Sequence, residues 1–135
     1  MTTGTEILDL ARAHLGERYV LGALAPKDNQ AWTGPWDCAE FASWLVYQTA
    51  GKLYGVQGSV PATADAYTGY WGKWSRSKGK RVTVARAAST PGAFVLRIPK
   101  PGAIGHIAVC DGTGGTIEAH STRTGVVTRK VAKRR

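Results

Sequence analysis

The apolar residues of this chain change period once: up to about Trp74 they recur at helical spacing, and after Lys80 they fall in short alternating runs. Ile7, Leu8, Leu10, Ala11 and Leu15 follow Thr3 and Glu6, which read as a capping box, and Gly16 ends that helix. Phe41, Ala42, Leu45 and Val46, with Trp44 beside them, predict a second amphipathic helix that opens at Cys38 and stops at Gly51. A third, from about Ala62 to Trp74, carries Tyr67, Tyr70, Trp71 and Trp74, which read as helix packing. The segments 81–84, 92–96, 105–110, 116–120 and 126–131 are β-type runs separated by Gly, Pro and Ser turns. Helices first and a meander of strands afterwards predict an α+β domain, with N-terminal helices packed on an antiparallel sheet of about five to six strands.

At 135 residues the chain is expected to form one domain around one core. Its apolar runs are too short and too broken to span a bilayer, so no membrane insertion is expected. The net charge of +9 is unevenly distributed. Six of the nine acids lie in the first 40 residues, whereas residues 66 to 110 hold eight basic residues and no acid. Six more basic residues lie between Arg123 and Arg135. Such a field either attracts polyanions or simply keeps a small domain soluble. Nucleic acid is not an expected partner, because no helix-turn-helix, zinc or RNA-recognition signature accompanies the charge.

The two cysteines, Cys38 and Cys110, give no disulfide framework, and no Cys or His pair has zinc-ligand spacing, so neither metal nor cofactor is expected. Cys38 follows a turn and opens an apolar helix, where the positive end of the helix dipole is expected to lower its pKa. A nucleophilic cysteine needs a base from elsewhere in the chain. His106 suits that role: it opens the run Gly105-His106-Ile107-Ala108-Val109, beside a glycine that permits close approach. Cys110, about four residues further along that strand, is expected to be a free thiol out of reach of Cys38. On the next strand Glu118 and His120 share a face, and either could orient the imidazole. Glu118 is preferred as the third residue on spacing, and His120 is the alternative. Each residue also has a plainer reading, Cys38 as a small buried hydrophobe and His106 as a surface or capping residue. Trp44 and Phe41 are expected in the core, Trp32 and Trp36 along a cleft, and His14 on the surface.

These residues carry a resemblance. Trp36-Asp37-Cys38-Ala39-Glu40-Phe41 resembles the Asp-Cys-Ser-Gly-(aliphatic) nucleophile motif of the NlpC-type cell-wall peptidases, a branch of the papain-like fold. The segment 15–22, Leu-Gly-Glu-Arg-Tyr-Val-Leu-Gly, is similar to that family's Gly-x-Pro-Tyr-x-Trp-Gly-Gly entry. Thr90-Pro91-Gly92-Ala93-Phe94-Val95 resembles its Pro-Gly-Asp-Leu strand, and Gly105 to Val109 its His-Val-Gly strand. Glu118 stands twelve residues after His106, where the family places its third polar residue, commonly a His. Four motifs in one order, from about Ala11 to Val127, imply a papain-like NlpC-type fold. There are departures: Ala39 stands for the family's Ser, Glu40 for its Gly, and Ala93 for its Asp. In relatives that hold the free amine of a stem peptide, Tyr, Asp and Ser of these motifs bind it; Tyr19 and Asp37 are kept and the Ser hydroxyl is not, while Glu40 offers a charge in its stead. The basic segment 73–88 has no counterpart with a known role.

The resemblance implies a cysteine hydrolase with Cys38 as nucleophile, His106 as base and Glu118 as orienting group. Tyr19, Asp37, Trp36 and Glu40 are the expected substrate or oxyanion contacts. Its implied partner is peptidoglycan, often cut at the γ-D-glutamyl to diamino-acid bond, with anionic wall polymers drawn to the basic face of a monomer. The sugar–peptide amide is cut by the neighbouring amidase branch of the fold, so an N-acetylmuramoyl-L-alanine amidase is the alternative. A non-catalytic wall-binding module, or a hydrolase or acyltransferase acting on lipids or proteins, completes the set. The first residues lack a secretory signal, so the expectation is a wall enzyme made in the cytoplasm and delivered by a phage particle, a secretion system or lysis.

Overall fold

The computed structural model describes residues 4–77, 82–97, 99–101 and 105–131. Helices α1 (Gly4–Arg12) and α2 (Cys38–Ala50) are followed by the short strands β1 (Val56–Gln57) and β2 (Asp65–Ala66), then α3 (Thr68–Ser77) and α4 (Val84–Ala88). Strands β3 (Phe94–Arg97), β4 (His106–Cys110), β5 (Gly115–Ser121) and β6 (Gly125–Lys130) complete the order. β3 to β6 form a four-stranded antiparallel meander, and β1 and β2 pair separately. The described residues therefore form an α+β structure, with fewer strands in the main sheet than the alternation predicts. Thr3 of the expected capping box lies outside the described residues.

α2 is the centre of the packing. Its residues from Ala39 to Leu45 are all buried, so this helix is enclosed on every side rather than on one stripe. Phe41, Trp44 and Leu45 join α1 and Val109, Ile117 and Val126 of the sheet in one apolar cluster. Ala39 and Ala42 join Val56, Ala66, Trp71 and Ile107 in a second. The polar side chains caught inside have partners: Ser43 donates to the Tyr54 carbonyl and accepts from the Trp71 indole. α2 ends where Gly51 turns into the left-handed region at φ 70° and donates back to Tyr47.

Three expectations about elements are corrected. Segment 81–84 is not a strand in its described part: the Thr83 hydroxyl accepts from the Arg86 N–H at 3.1 Å and caps α4, which packs on β3. The third helix begins at Thr68 rather than near Ala62, because Asp65–Ala66 are drawn into pairing with Val56–Gln57. His14 is not on the surface. It is 9% exposed, bonded to Glu17 at 2.7 Å, and edged by the rings of Trp36, Phe41 and Trp44.

Candidate active site

Residues 18–20 run parallel to Trp36: the Trp36 N–H donates to the Arg18 carbonyl, and the Val20 N–H donates to the Trp36 carbonyl, both at 2.9 Å. Trp36 is fully buried among the core aromatics, and its indole N–H donates to Glu17 at 2.8 Å. This corrects its expected place in the cleft. Trp32 likewise packs against the core, donating to the Pro35 carbonyl. Buried aromatics pin the loop, and the pinned loop delivers Tyr19, Asp37 and Cys38 to one edge of α2.

Asp37 is the N-cap of α2; its carboxylate accepts from the Glu40 N–H at 2.8 Å. Burial raises its pKa to about 6 against the pull of the Glu40 and Gly22 N–H groups, with Glu40 and Asp65 adding to the rise. Burial also raises the Tyr19 phenol to about 12, with Cys38 and Asp37 adding to it.

Neither Cys38 nor Cys110 is in a disulfide. The expected lowering of the Cys38 pKa is overturned: burial first, then the Asp37 charge, push the thiol up to about 11. The N–H groups of Ile107, Ala39 and Cys38 itself pull the other way and are outweighed. The Ile107 contact shows where the sulfur lies, against β4 and one residue from His106. Gly105, which precedes His106, lets Thr68 and β3 pack closely against the start of β4: an added Cβ would sit 2.1 Å from Thr68 Oγ1 and 2.8 Å from the Arg97 carbonyl.

His106 and Glu118 meet directly. The His106 Nε2–H donates to Glu118 Oε1 at 2.7 Å, and the other carboxylate oxygen accepts from the Thr116 hydroxyl at 2.5 Å. Glu118 is fully buried and His106 only partly exposed. With Nε2 committed to a carboxylate, the lone pair of the neutral ring sits on Nδ1. The β4–β5 register pairs Val109 with Ile117 and Cys110 with Thr116, and continuing it sets His120, not Glu118, across from His106. The two imidazoles stand edge to face, centroids 5.8 Å apart, and His120 Nδ1 lies 3.2 Å from the Thr124 hydroxyl. His120 is therefore beside the base rather than a pleat beyond it, while Glu118 reaches it diagonally.

A cleft of about 640 Å³ joins these groups, lined among others by Tyr19, Asp37, Cys38, His106, His120 and Tyr67. Glu40 is not among them, which corrects its expected substrate contact. Its side chain is fully buried in an ion pair with Lys27, also fully buried, and it accepts from the N–H groups of Ala25 and Ala66 at 2.8 and 2.7 Å. Lys27 donates in addition to the carbonyls of Ala25 and Ala64. The Glu40 charge binds the loop and β2 to α2; it has no surface to offer a ligand. Reading the sequence missed Lys27, which lies in a loop without periodic signal, and Thr116, although alternation sets it on the face of Glu118. Among the described residues no three His, Cys, Asp or Glu side chains are grouped to hold a metal ion.

No family model and no curated protein sequence matches the chain. Solved structures do. The NlpC/p60 domain of the peptidoglycan hydrolase SagA matches with a TM-score of 0.64 at 23% identity, over 96% of this chain and 90% of that one. NlpC1 and NlpC2 from Trichomonas vaginalis match with TM-scores of 0.64 and 0.63 at 17% and 19% identity. They are covered over 40% and 43% of their own lengths, against 96% and 98% of this chain. The chain has the fold of the NlpC/p60 domains, a papain-like α+β architecture with Cys38 opening its central helix and His106 opening the facing strand.

Proposed function

We propose that this protein is a cysteine hydrolase that cuts amide bonds in the peptide part of bacterial peptidoglycan. The observation that carries the reading is the His106–Glu118 bond at 2.7 Å, in a cleft that also receives the Cys38 side chain. A buried carboxylate holding Nε2–H leaves Nδ1 as the basic nitrogen, so the ring has a lone pair with which to take a proton in the cleft. The likeness to the domain of a peptidoglycan hydrolase supports the substrate class.

Because the thiol is raised to about 11, it is neutral at rest, and attack is coupled to proton transfer. His106 takes the thiol proton as Cys38 Sγ bonds to the carbonyl carbon, giving a tetrahedral oxyanion. The Cys38 N–H, at the first turn of α2, faces that charge, and the Tyr19 hydroxyl is a second donor. Collapse expels the amine, which receives the proton from His106 and leaves a thioester. Water, deprotonated by His106, then hydrolyses the thioester and restores the thiol. Glu118 keeps the ring oriented throughout.

The test is digestion of purified peptidoglycan with mass spectrometry of the products, alongside Cys38→Ala. New peptide amine ends are expected, and Cys38→Ala should lower the rate by at least about three orders of magnitude. Release of whole stem peptides from the sugar would assign the amidase alternative. Unchanged activity in Cys38→Ala would remove the mechanism.

A further inference from the structure

Arg129 on β6, paired with Thr116 on β5, lines the cleft that holds Cys38 and His106. Thr116 shares a sheet face with Glu118 and His120, so Arg129 stands on that face too. Arg97, paired with His106 from β3, also lines the cleft. Both arginines are exposed, and neither is in a salt bridge among the described residues. Glu118, the acid on this face, is already bonded to His106 and Thr116. Asp37, the carboxylate among the lining residues, belongs to the Cys38 side as the N-cap of α2. Apolar side chains accompany the arginines: Val95 and Val131 stand two residues from Arg97 and Arg129, and both line the cleft. Val84 of α4 lines it as well and is 61% exposed. α4 belongs to the basic segment 73–88, and its packing on β3 brings Val84 to the cleft. The hydrolytic steps use neither the arginines nor these valines.

We propose that the part of the cleft beyond His106, lined by Val84, Val131 and Arg129, is a leaving-group subsite for a short peptide that ends in an aliphatic residue with a free α-carboxylate. The inference rests on the hydrolase reading and deepens it by naming what the expelled amine carries. The acyl part of the substrate stays on Cys38 Sγ, whereas the amine takes its proton from His106. The leaving part therefore starts at the base and runs over the sheet, away from Asp37. Arg129 pairs with Thr116, four residues along β5 from His120, the neighbour of His106. That is about 13 Å of strand. Because Arg129 lines the cleft together with His106, its side chain covers part of this span, and it meets a carboxylate about two or three extended residues beyond the scissile bond. A guanidinium takes both carboxylate oxygens at once, and the valines give the last side chain an apolar wall. A carboxyl tied up in an amide has no charge and brings N–H donors toward the guanidinium, so the subsite selects peptides with free ends.

The test uses three synthetic stem peptides that are identical up to the last residue: one ends in alanine as the free acid, one in alanine carboxamide and one in glycine as the free acid. Their binding to the Cys38→Ala protein at neutral pH is measured by calorimetry or NMR titration. The alanine acid should bind about tenfold or more tightly than its carboxamide, as expected for a charge-assisted pair that is not fully buried. It should bind about threefold more tightly than the glycine acid, the effect of one methyl group on an apolar wall. Adding Arg129→Gln should make acid and carboxamide bind alike through loss of affinity for the acid, and Arg129→Lys should keep part of the preference. Adding Val84→Asp should weaken the acids more than the carboxamide. Unchanged thermal melting shows that the variants fold. Equal binding of acid and carboxamide to the protein that retains Arg129, a preference that survives Arg129→Gln, equal binding of the alanine and glycine acids, or no binding of any peptide overturns the proposal. Hydrolysis of the peptides by the unsubstituted protein is read separately. Failure to cut any of them, with the binding preferences intact, would count against the hydrolase reading and not against the subsite.

Discussion

His106 on β4 and Glu118 on β5 are twelve residues apart in sequence and 2.7 Å apart through Nε2 and Oε1. Glu118 is held in turn by Thr116, so the ring is fixed by a carboxylate that is itself fixed. Glu118→Gln should therefore lower kcat by about ten- to a hundredfold while leaving KM nearly unchanged, because an amide can still accept the N–H but supplies no charge. His120→Ala should chiefly raise KM, since its ring lies beside His106 in the cleft without holding Nε2. Steady-state kinetics on a soluble stem peptide separates the two. A crippled kcat in His120→Ala with a near-normal Glu118→Gln would reverse the roles.

The net charge of +9 should act on encounter rather than on chemistry. Raising salt from about 20 to 300 mM shortens the screening length several-fold. Activity on intact anionic walls should then fall by more than activity on a short soluble peptide. Parallel salt series on the two substrates check this, and equal slopes would leave the charge a role in solubility alone.

Periodic elements were the legible part of this chain. A helix opening at Cys38, a strand opening at His106 and an alternation that sets Thr116, Glu118 and His120 on one face all follow from local spacing. Where burial is decided by partners far along the chain, spacing is silent. Trp36 and Trp32 sit in a loop whose sequence suits a cleft wall, yet core rings and the Glu17 carboxylate draw Trp36 fully inside. Glu40 looks like a surface acid on a helix, and Lys27, from a loop thirteen residues earlier, with the N–H groups of Ala25 and Ala66, makes its burial tolerable. His120 turned on register, which a turn of unknown geometry leaves open by a residue or two. The helix dipole predicts a lowered pKa for an exposed thiol at Cys38, and burial beside Asp37 raises it instead.

Asp37 gives a prediction in which stability and reactivity move together. Its folded pKa, about 6, lies above the ordinary 3.8, so the folded state binds this proton more tightly than the unfolded chain. Its contribution is most favourable below about pH 4 and is lost as pH rises through 6. Asp37→Asn, which keeps a capping oxygen, should raise stability by about 1–2 kcal/mol at pH 7 and by almost nothing at pH 4. Removing the charge should also lower the Cys38 pKa, since Asp37 raises it. Urea melts at the two pH values and the pH dependence of Cys38 alkylation check both halves. A lower melting midpoint at pH 7, or a Cys38 that alkylates only at still higher pH, would contradict the argument.

The Lys27–Glu40 pair predicts the largest loss of stability. Both side chains are fully buried, and Glu40 accepts from Lys27 and from the N–H groups of Ala25 and Ala66, tying the loop, β2 and α2 at one point behind the nucleophile. Burial raises the Glu40 pKa, and Lys27 is the foremost of the groups that hold it down. Lys27→Met keeps the length and removes the charge, leaving an uncompensated carboxylate in the interior at about 3–5 kcal/mol. That loss has a pH signature. With Lys27 gone the Glu40 pKa rises further, so the carboxyl is neutralised on mild acidification and part of the loss is recovered as pH falls from 7 to about 5. Adding Glu40→Gln to Lys27→Met should recover part of it at pH 7 too, because a neutral amide oxygen still accepts from a backbone N–H without a buried charge. Chemical denaturation of the single and double variants at both pH values measures this. A pH-independent deficit in Lys27→Met, unrelieved by Glu40→Gln, would mean that the lysine stabilises through its bonds to the Ala25 and Ala64 carbonyls rather than by neutralising Glu40.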